Sequence, residues 1–195
     1  MGSRGICDRV AIVGMGCTEF GEHWDRSTES MLIDSTSEAV ASAGLSIDDV
    51  DAFWLGTMAS GQSGLLLSRP LALDYKPVSR LEAFCATGSE AFRNACYAVA
   101  SGAYDVGMAV GVEKLKDSGY SGLVIRPPAN DGTEAEVTGP ARFSLLVPAY
   151  AEKYGVSRAE LKEVMTRIAW KNHYNGARNP RAQFRKEVAM ETIAK

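Results

Sequence analysis

The residues best placed to do chemistry lie in the stretch Leu81-Glu-Ala-Phe-Cys85-Ala-Thr-Gly88-Ser-Glu-Ala-Phe. A strand is predicted to end at Phe84, and a helix to begin two to four residues later. Cys85 then sits on a strand-to-helix turn, the position of a nucleophile elbow. Amides and the macrodipole at a helix N-terminus favour a thiolate over a thiol. Gly88 leaves room for an acyl group to approach the backbone. The same residues also fit a buried structural thiol at a tight turn, and position alone leaves both readings open. Glu90 falls in the first helical turn, where it either opposes a thiolate or faces away.

The other candidates have simpler explanations. Cys96 is predicted mid-helix on the inner face, and Cys7 and Cys17 are read as structural thiols. There is no CxxC pair, and His23 and His173 are the only histidines, so no metal site is expected. Gly14-Met-Gly16-Cys-Thr-Glu19 begins like a dinucleotide fingerprint. Glu19 stands where the third glycine belongs, and its charge opposes a pyrophosphate, so dinucleotide binding is not expected. Trp170-Lys-Asn-His173-Tyr-Asn-Gly176 gathers polar groups at a predicted helix end. There His173 either caps the C-terminus or faces a substrate. Asp48-Asp49-Val-Asp51 is read as a solvated turn and His23 as a surface residue.

Elements that must position Cys85 follow from pattern. Strands are predicted at Val10–Gly14, Asp51–Gly56, Val78–Phe84 and Asp105–Val112. Helices are predicted from Ser27 or Thr28 to Ala43 with Gly44 as the stop, over 62–74, and from Gly88 to Ser101. The strand Asp105–Val112 is apolar on both faces, which suits a parallel sheet covered by helices. The alternation is that of a layered α/β fold. Ser118 to Pro140 reads as loop, and Pro140 to Gly155 as helix despite Pro148. Ser157-Arg-Ala-Glu160 is a capping box opening a helix through Asn172, with Leu161, Val164 and Ile168 on its apolar face. Asn175-Gly176 and Asn179-Pro180 are read as turns. Glu191 to Lys195 reads as the start of another element, so the chain is expected to end inside a larger architecture.

Composition narrows the classes further. The chain has 195 residues, 21 basic and 24 acidic, for a net charge of −3. At about 150 residues per domain this is one domain, or one with an appendage. A slightly acidic balance carries no nucleic-acid footprint. Apolar residues make up 46% of the chain, which argues against disorder. No apolar run approaches the roughly 20 residues of a membrane helix. Met1 to Asp8 has no apolar core of a signal peptide. Four dispersed cysteines in such a chain are read as free thiols of a cytoplasmic protein.

Taken in order, these motifs resemble the thiolase superfamily. The resemblance rests on Val10-Ala-Ile-Val-Gly14, the loop Phe20 to Ser27, Cys85-Ala-Thr-Gly88 and Ser101 through Glu113-Lys114. Lys171 to Pro180 and Ala182-Gln-Phe-Arg-Lys186 resemble the loop domain of sterol-carrier-protein-type and archaeal-type acetyl-CoA acetyltransferases. The likeness covers nearly the whole chain. It implies a thiolase-like layered α/β fold: helices on a mostly parallel sheet over residues 1–114, and a helical and loop insertion, the loop domain, over 115–190. It implies that Cys85 attacks an acyl-CoA and that the acyl-cysteine passes its acyl group to CoA or to acetyl-CoA. Coenzyme A is then a substrate, and no cofactor is permanently bound. Loop-domain position makes Asn172, His173 and Arg185 the expected CoA contacts. The resemblance further implies a homodimer or tetramer and, in some members, a small OB-fold acyl-CoA-binding partner.

The pattern also departs from the family. Thr87, Gly88, Ser89 and Glu90 follow where Ser-Gly-Gly or Ser-Gly-Leu is frequent. The resemblance assigns the activating histidines and a second cysteine to a C-terminal half that this sequence does not contain. A lone cysteine without its base accepts an acyl group slowly and turns over poorly. Two other readings follow from that gap: a non-catalytic or partner-dependent acyl-CoA-binding module, and a retro-aldolase of the sterol side-chain type.

Overall fold

The computed structural model describes residues 5–115, 124–126 and 137–195. The chain divides into two compact units, Met1–Thr18 with Glu22–Tyr120, and Glu19–Gly21 with Ser121–Lys195.

In the first unit, helix α1 spans Thr28–Ala43. Its start and stop are local. The Ser27 side chain accepts from Ser30 N–H, and Gly44 turns left-handed at φ 70° to end it. Strand β1 is Ala52–Gly56, and all five of its residues are buried. Helix α2, Leu65–Ser68, is far shorter than the predicted 62–74. Pro70 offers no N–H to continue the ladder, and Ala72 turns left-handed at φ 49°. Strand β2 is Val78–Leu81, helix α3 is Thr87–Ala100, and strand β3 is Gly107–Gly111.

The three strands are parallel in the order β2-β1-β3. Strand alternation on β1 builds two cores. Phe53 and Leu55 pack with Leu32 of α1, Leu67 of α2, Val50 and Val110 on one face. Ala52 and Trp54 pack with Ala91 and Ala95 of α3 on the other. The result is helix, sheet, helix, as a strand apolar on both faces requires.

Val10–Gly14 corrects the strand prediction: it joins no ladder among the described residues. Ile12 and Val13 are exposed, while Gly14 and Gly16 lie against the backbone of α1. Met15 N–H donates to Ser42 Oγ at 2.8 Å, and Cys17 N–H to Glu38 Oε2 at 2.8 Å. The Gly-Met-Gly motif therefore serves a close helix contact. A Cβ on Gly14 or Gly16 would fall 2.3 or 2.0 Å from carbonyl oxygens of α1.

In the second unit, the predicted loop contains two paired antiparallel strands, β4 (Val124–Arg126) and β5 (Val137–Thr138). The rest of 116–136 lies outside the described residues. The single helix expected over 140–155 is two, α4 (Gly139–Ser144) and α5 (Leu146–Tyr154). Pro148 then falls in the first turn of α5, where its missing N–H costs no ladder bond. Helix α6 runs Arg158–Arg178 from the predicted capping box, with Ser157 N–H donating to Glu160 Oε2 at 3.0 Å and Glu160 N–H to Ser157 Oγ at 3.2 Å. It continues six residues beyond Asn172, through Asn175-Gly176, and stops at Asn179, which the following Pro180 holds extended. Val164 and Ile168, predicted on an apolar face, are exposed. Helix α7 is Met190–Ile193.

Candidate functional site

Cys85 follows the C-terminal end of β2, where ligands bind in parallel sheets. The strand stops at Leu81, three residues earlier than predicted. Residues Phe84–Ala86 form one 3₁₀ turn that feeds directly into α3. Cys85 occupies the middle of that turn and is exposed, which removes the premise of a buried structural thiol. Ala86, at the N-cap of α3, has no side-chain oxygen, and no side chain caps the helix there. The first amide of the helix, Thr87 N–H, is taken by Phe84 O, so the 3₁₀ turn itself closes the start of α3.

Phe84 stands at φ 49°, a backbone region costly for an aromatic residue, and its ring is 75% exposed. Burial therefore does not hold it there. Local bonds do: Phe84 N–H donates to Glu82 Oε1 at 2.5 Å, and Ala86 N–H to Ala83 O at 3.0 Å. Thr87 adds two more, accepting from Ala83 N–H at 2.8 Å and donating to Phe84 O at 2.7 Å. Glu90 is turned toward the far end of the helix. Its carboxylate binds the Arg93 guanidinium and Asn94 Nδ2, and the Arg93 hydrogen bonds hold it below the usual carboxylate range. Its charge is matched by Arg93, not aimed at the turn.

Strands β1 and β3 end beside a second constellation, absent from the sequence reading. Glu113 accepts Met58 N–H at 2.7 Å, Ala59 N–H at 3.2 Å and Ser60 Oγ–H at 2.6 Å. Arg80, on β2, donates to Gly61 O, Thr57 O and Met58 O, each at 2.9 Å. The two opposite charges fix the loop 57–61 at the sheet's C-terminal end. A charged residue inside an alternating strand was the available signal for Arg80. Nothing in local sequence marked its target loop. Among the described residues no group of three or more His, Cys, Asp or Glu side chains could hold a metal. No described helix is long and apolar enough to cross a membrane.

Asn172, His173 and Arg185 belong to the second unit. Asn172 is exposed and His173 half-buried, in the penultimate turns of α6. Because α6 runs on to Arg178, His173 is not a C-terminal cap. Arg185 is exposed, in a segment that folds back on the end of the helix. A Cβ on Gly176 would fall 2.9 Å from Phe184 O, and Arg178 bridges Glu187 at 2.7 Å. These three residues thus share one end of one unit, while Cys85 belongs to the other unit.

Residues 10–195 match the model of the thiolase N-terminal domain. The chain is 34% identical over 192 residues to the acetyl-CoA acetyltransferase of Methanothermobacter thermautotrophicus, covering 94% of this chain and 49% of that protein. It is 28% identical to sterol carrier protein 2 of Gallus gallus, covering 95% of this chain and 36% of that one. It therefore spans about half the length, or less, of these curated relatives. Among solved structures, the Ltp2-ChsH2(DUF35) aldolase superposes with a TM-score of 0.72 at 24% identity, over 93% of this chain and 47% of that chain. At that identity the likeness is one of fold.

Proposed function

The chain belongs to the thiolase family through its N-terminal domain, and from that premise we propose that it carries the nucleophile of an acyl-CoA acyltransferase, Cys85. The carrying observation is the exposed Cys85 in a 3₁₀ turn at the uncapped N-terminus of α3.

In this reading the Cys85 thiolate attacks the thioester carbonyl of an acyl-CoA. A bond forms between Sγ and the acyl carbon, the thioester C–S bond breaks, and CoA leaves as a thiolate that takes up a proton. The acyl group then passes to CoA or to acetyl-CoA. Gly88 leaves the backbone beside Cys85 unobstructed. Asn172, His173 and Arg185 are the CoA contacts of this reading; their shared place at the end of α6 supports assigning them together. Cys7, Cys17, Cys85 and Cys96 are all free thiols, in keeping with a reducing cytoplasm. A homodimer completes the reading, as does a small OB-fold acyl-CoA-binding partner. The support for a partner is a structural neighbour whose name joins two components.

Incubation with acetyl-CoA, followed by peptide mass spectrometry, tests the reading. It expects acetyl on the peptide containing Cys85, lost in Cys85→Ala. Acetyl-CoA binding without any label on Cys85 would replace the acyltransferase with an acyl-CoA-binding module. Acyl-CoA cleavage that survives Cys85→Ala would point instead to a retro-aldolase.

A further inference from the structure

We propose that Thr87 is a positioning residue for Cys85: its buried hydroxyl pins the turn that presents the nucleophile, an inference that rests on the Cys85 reading above. A hydroxyl has one proton and two lone pairs. Thr87 spends the proton on Phe84 O and accepts Ala83 N–H, so a single oxygen after Cys85 ties down both residues that precede it. A bond from a threonine hydroxyl to a carbonyl three residues back is ordinary in a helix. The second bond, to an amide four residues back and outside the helix, does nothing for α3 and acts only on the turn.

The pin is anchored. Thr87 is 7% exposed. Its methyl and its carbonyl oxygen lie against Gly56, 3.1 and 3.2 Å from where a Cβ on that glycine would stand. Gly56 pairs with Leu81 on one side and Gly111 on the other, so its position follows the register of the whole sheet. The chain of contacts runs from sheet to Gly56, to Thr87, to the turn. What it holds is a residue that would otherwise move. Phe84 keeps a positive φ with its ring in solvent, and strain of that kind persists only where the surroundings over-determine it. Released, Phe84 returns to negative φ, and the exposed turn that carries Cys85 moves with it.

Measuring iodoacetamide labelling of each cysteine by peptide mass spectrometry at pH 7.5 tests this. Cys96, half-buried within α3, is the internal control. In the wild type Cys85 reacts at least about tenfold faster than Cys96. Thr87→Val keeps the shape and removes the hydroxyl. It slows Cys85 about tenfold, as expected for losing one to two net hydrogen bonds, with Cys96 unchanged. Thr87→Ser, which keeps the hydroxyl, stays within about twofold of the wild type on the same ground. Where Thr87→Val unfolds the chain, Cys96 accelerates as well, and the decision passes to the Phe84→Gly background. Glycine holds a positive φ without strain, so Phe84→Gly makes Thr87→Val nearly silent there. Equal rates at Cys85 and Cys96 in the wild type would overturn the nucleophile itself. A fast wild-type Cys85 with an equally fast Thr87→Val, a slow Thr87→Ser, or a Phe84→Gly background in which Thr87→Val is still slow would overturn the role of Thr87 alone.

Discussion

Gly88→Ala should make this chain more stable and less able to accept an acyl group. Gly88 is the second residue of α3, and a Cβ built on it meets no heavy atom within 4 Å. Its φ lies outside the left-handed region. Alanine therefore fits without clash, and it removes the extra chain entropy that glycine loses in a helix. The gain is about 0.5–1 kcal/mol. For a unit of this size it raises the melting temperature about 2–5 °C. The added methyl also projects into the open space beside the turn that holds Cys85. Reacting atoms must close to about 3–3.5 Å, and a displacement of about 1 Å costs up to about 100-fold. Acetylation of Cys85 by acetyl-CoA is expected to fall about 10- to 100-fold. Thermal melting by circular dichroism reads the first effect, and time-resolved peptide mass spectrometry reads the second. Acetylation within twofold of the wild type would mean that the thioester does not pass over Gly88. A lowered melting temperature would refute the open space itself.

Two further predictions address the framework. Gly16→Ala places a Cβ 2.0 Å from Ser35 O and 2.7 Å from Ala39 N, both backbone atoms of α1. It should destabilise by about 1–3 kcal/mol as overpacking, read as a lower urea midpoint; an unchanged midpoint would detach the 10–17 segment from the helix. Asp51 Oδ2 accepts Val106 N–H at 2.9 Å and Asp105 N–H at 3.0 Å, and these backbone bonds hold its carboxyl below the usual range. A depressed folded pKa stabilises fully above the unfolded value of about 3.9 and loses that contribution as pH falls through the folded one. Urea midpoints should therefore drop in acid below about pH 4, and less steeply for Asp51→Asn; parallel curves would remove Asp51 from the acid response.

The cysteine turn was legible because its signals are contiguous: a strand, a Cys, a Gly and an amphipathic helix follow one another between Val78 and Ala100. The capped helices were legible for the same reason, since Ser27, Gly44 and the Ser157–Glu160 box act within one turn of the groups they satisfy. The strand ends were not. Val10–Gly14 has the composition of a strand, yet a strand exists only where a ladder partner lies beside it, and the composition of five residues cannot supply one.

What the sequence determined by itself, then, is the layered α/β pattern, the family resemblance and Cys85 as the residue to examine. The tertiary structure alone decided that Cys85 is exposed, that Glu90 turns toward Arg93 and away from the turn, and that Thr87 reaches back to Ala83. It alone joined Glu113 to the loop 57–61, more than fifty residues earlier in the chain. The physical reason is range. Caps, helix periodicity and turn residues act through neighbours a few positions apart. A carboxylate that finds amides in the loop after another strand, and a hydroxyl anchored against a glycine of the central strand, depend on which strands pair and in what register.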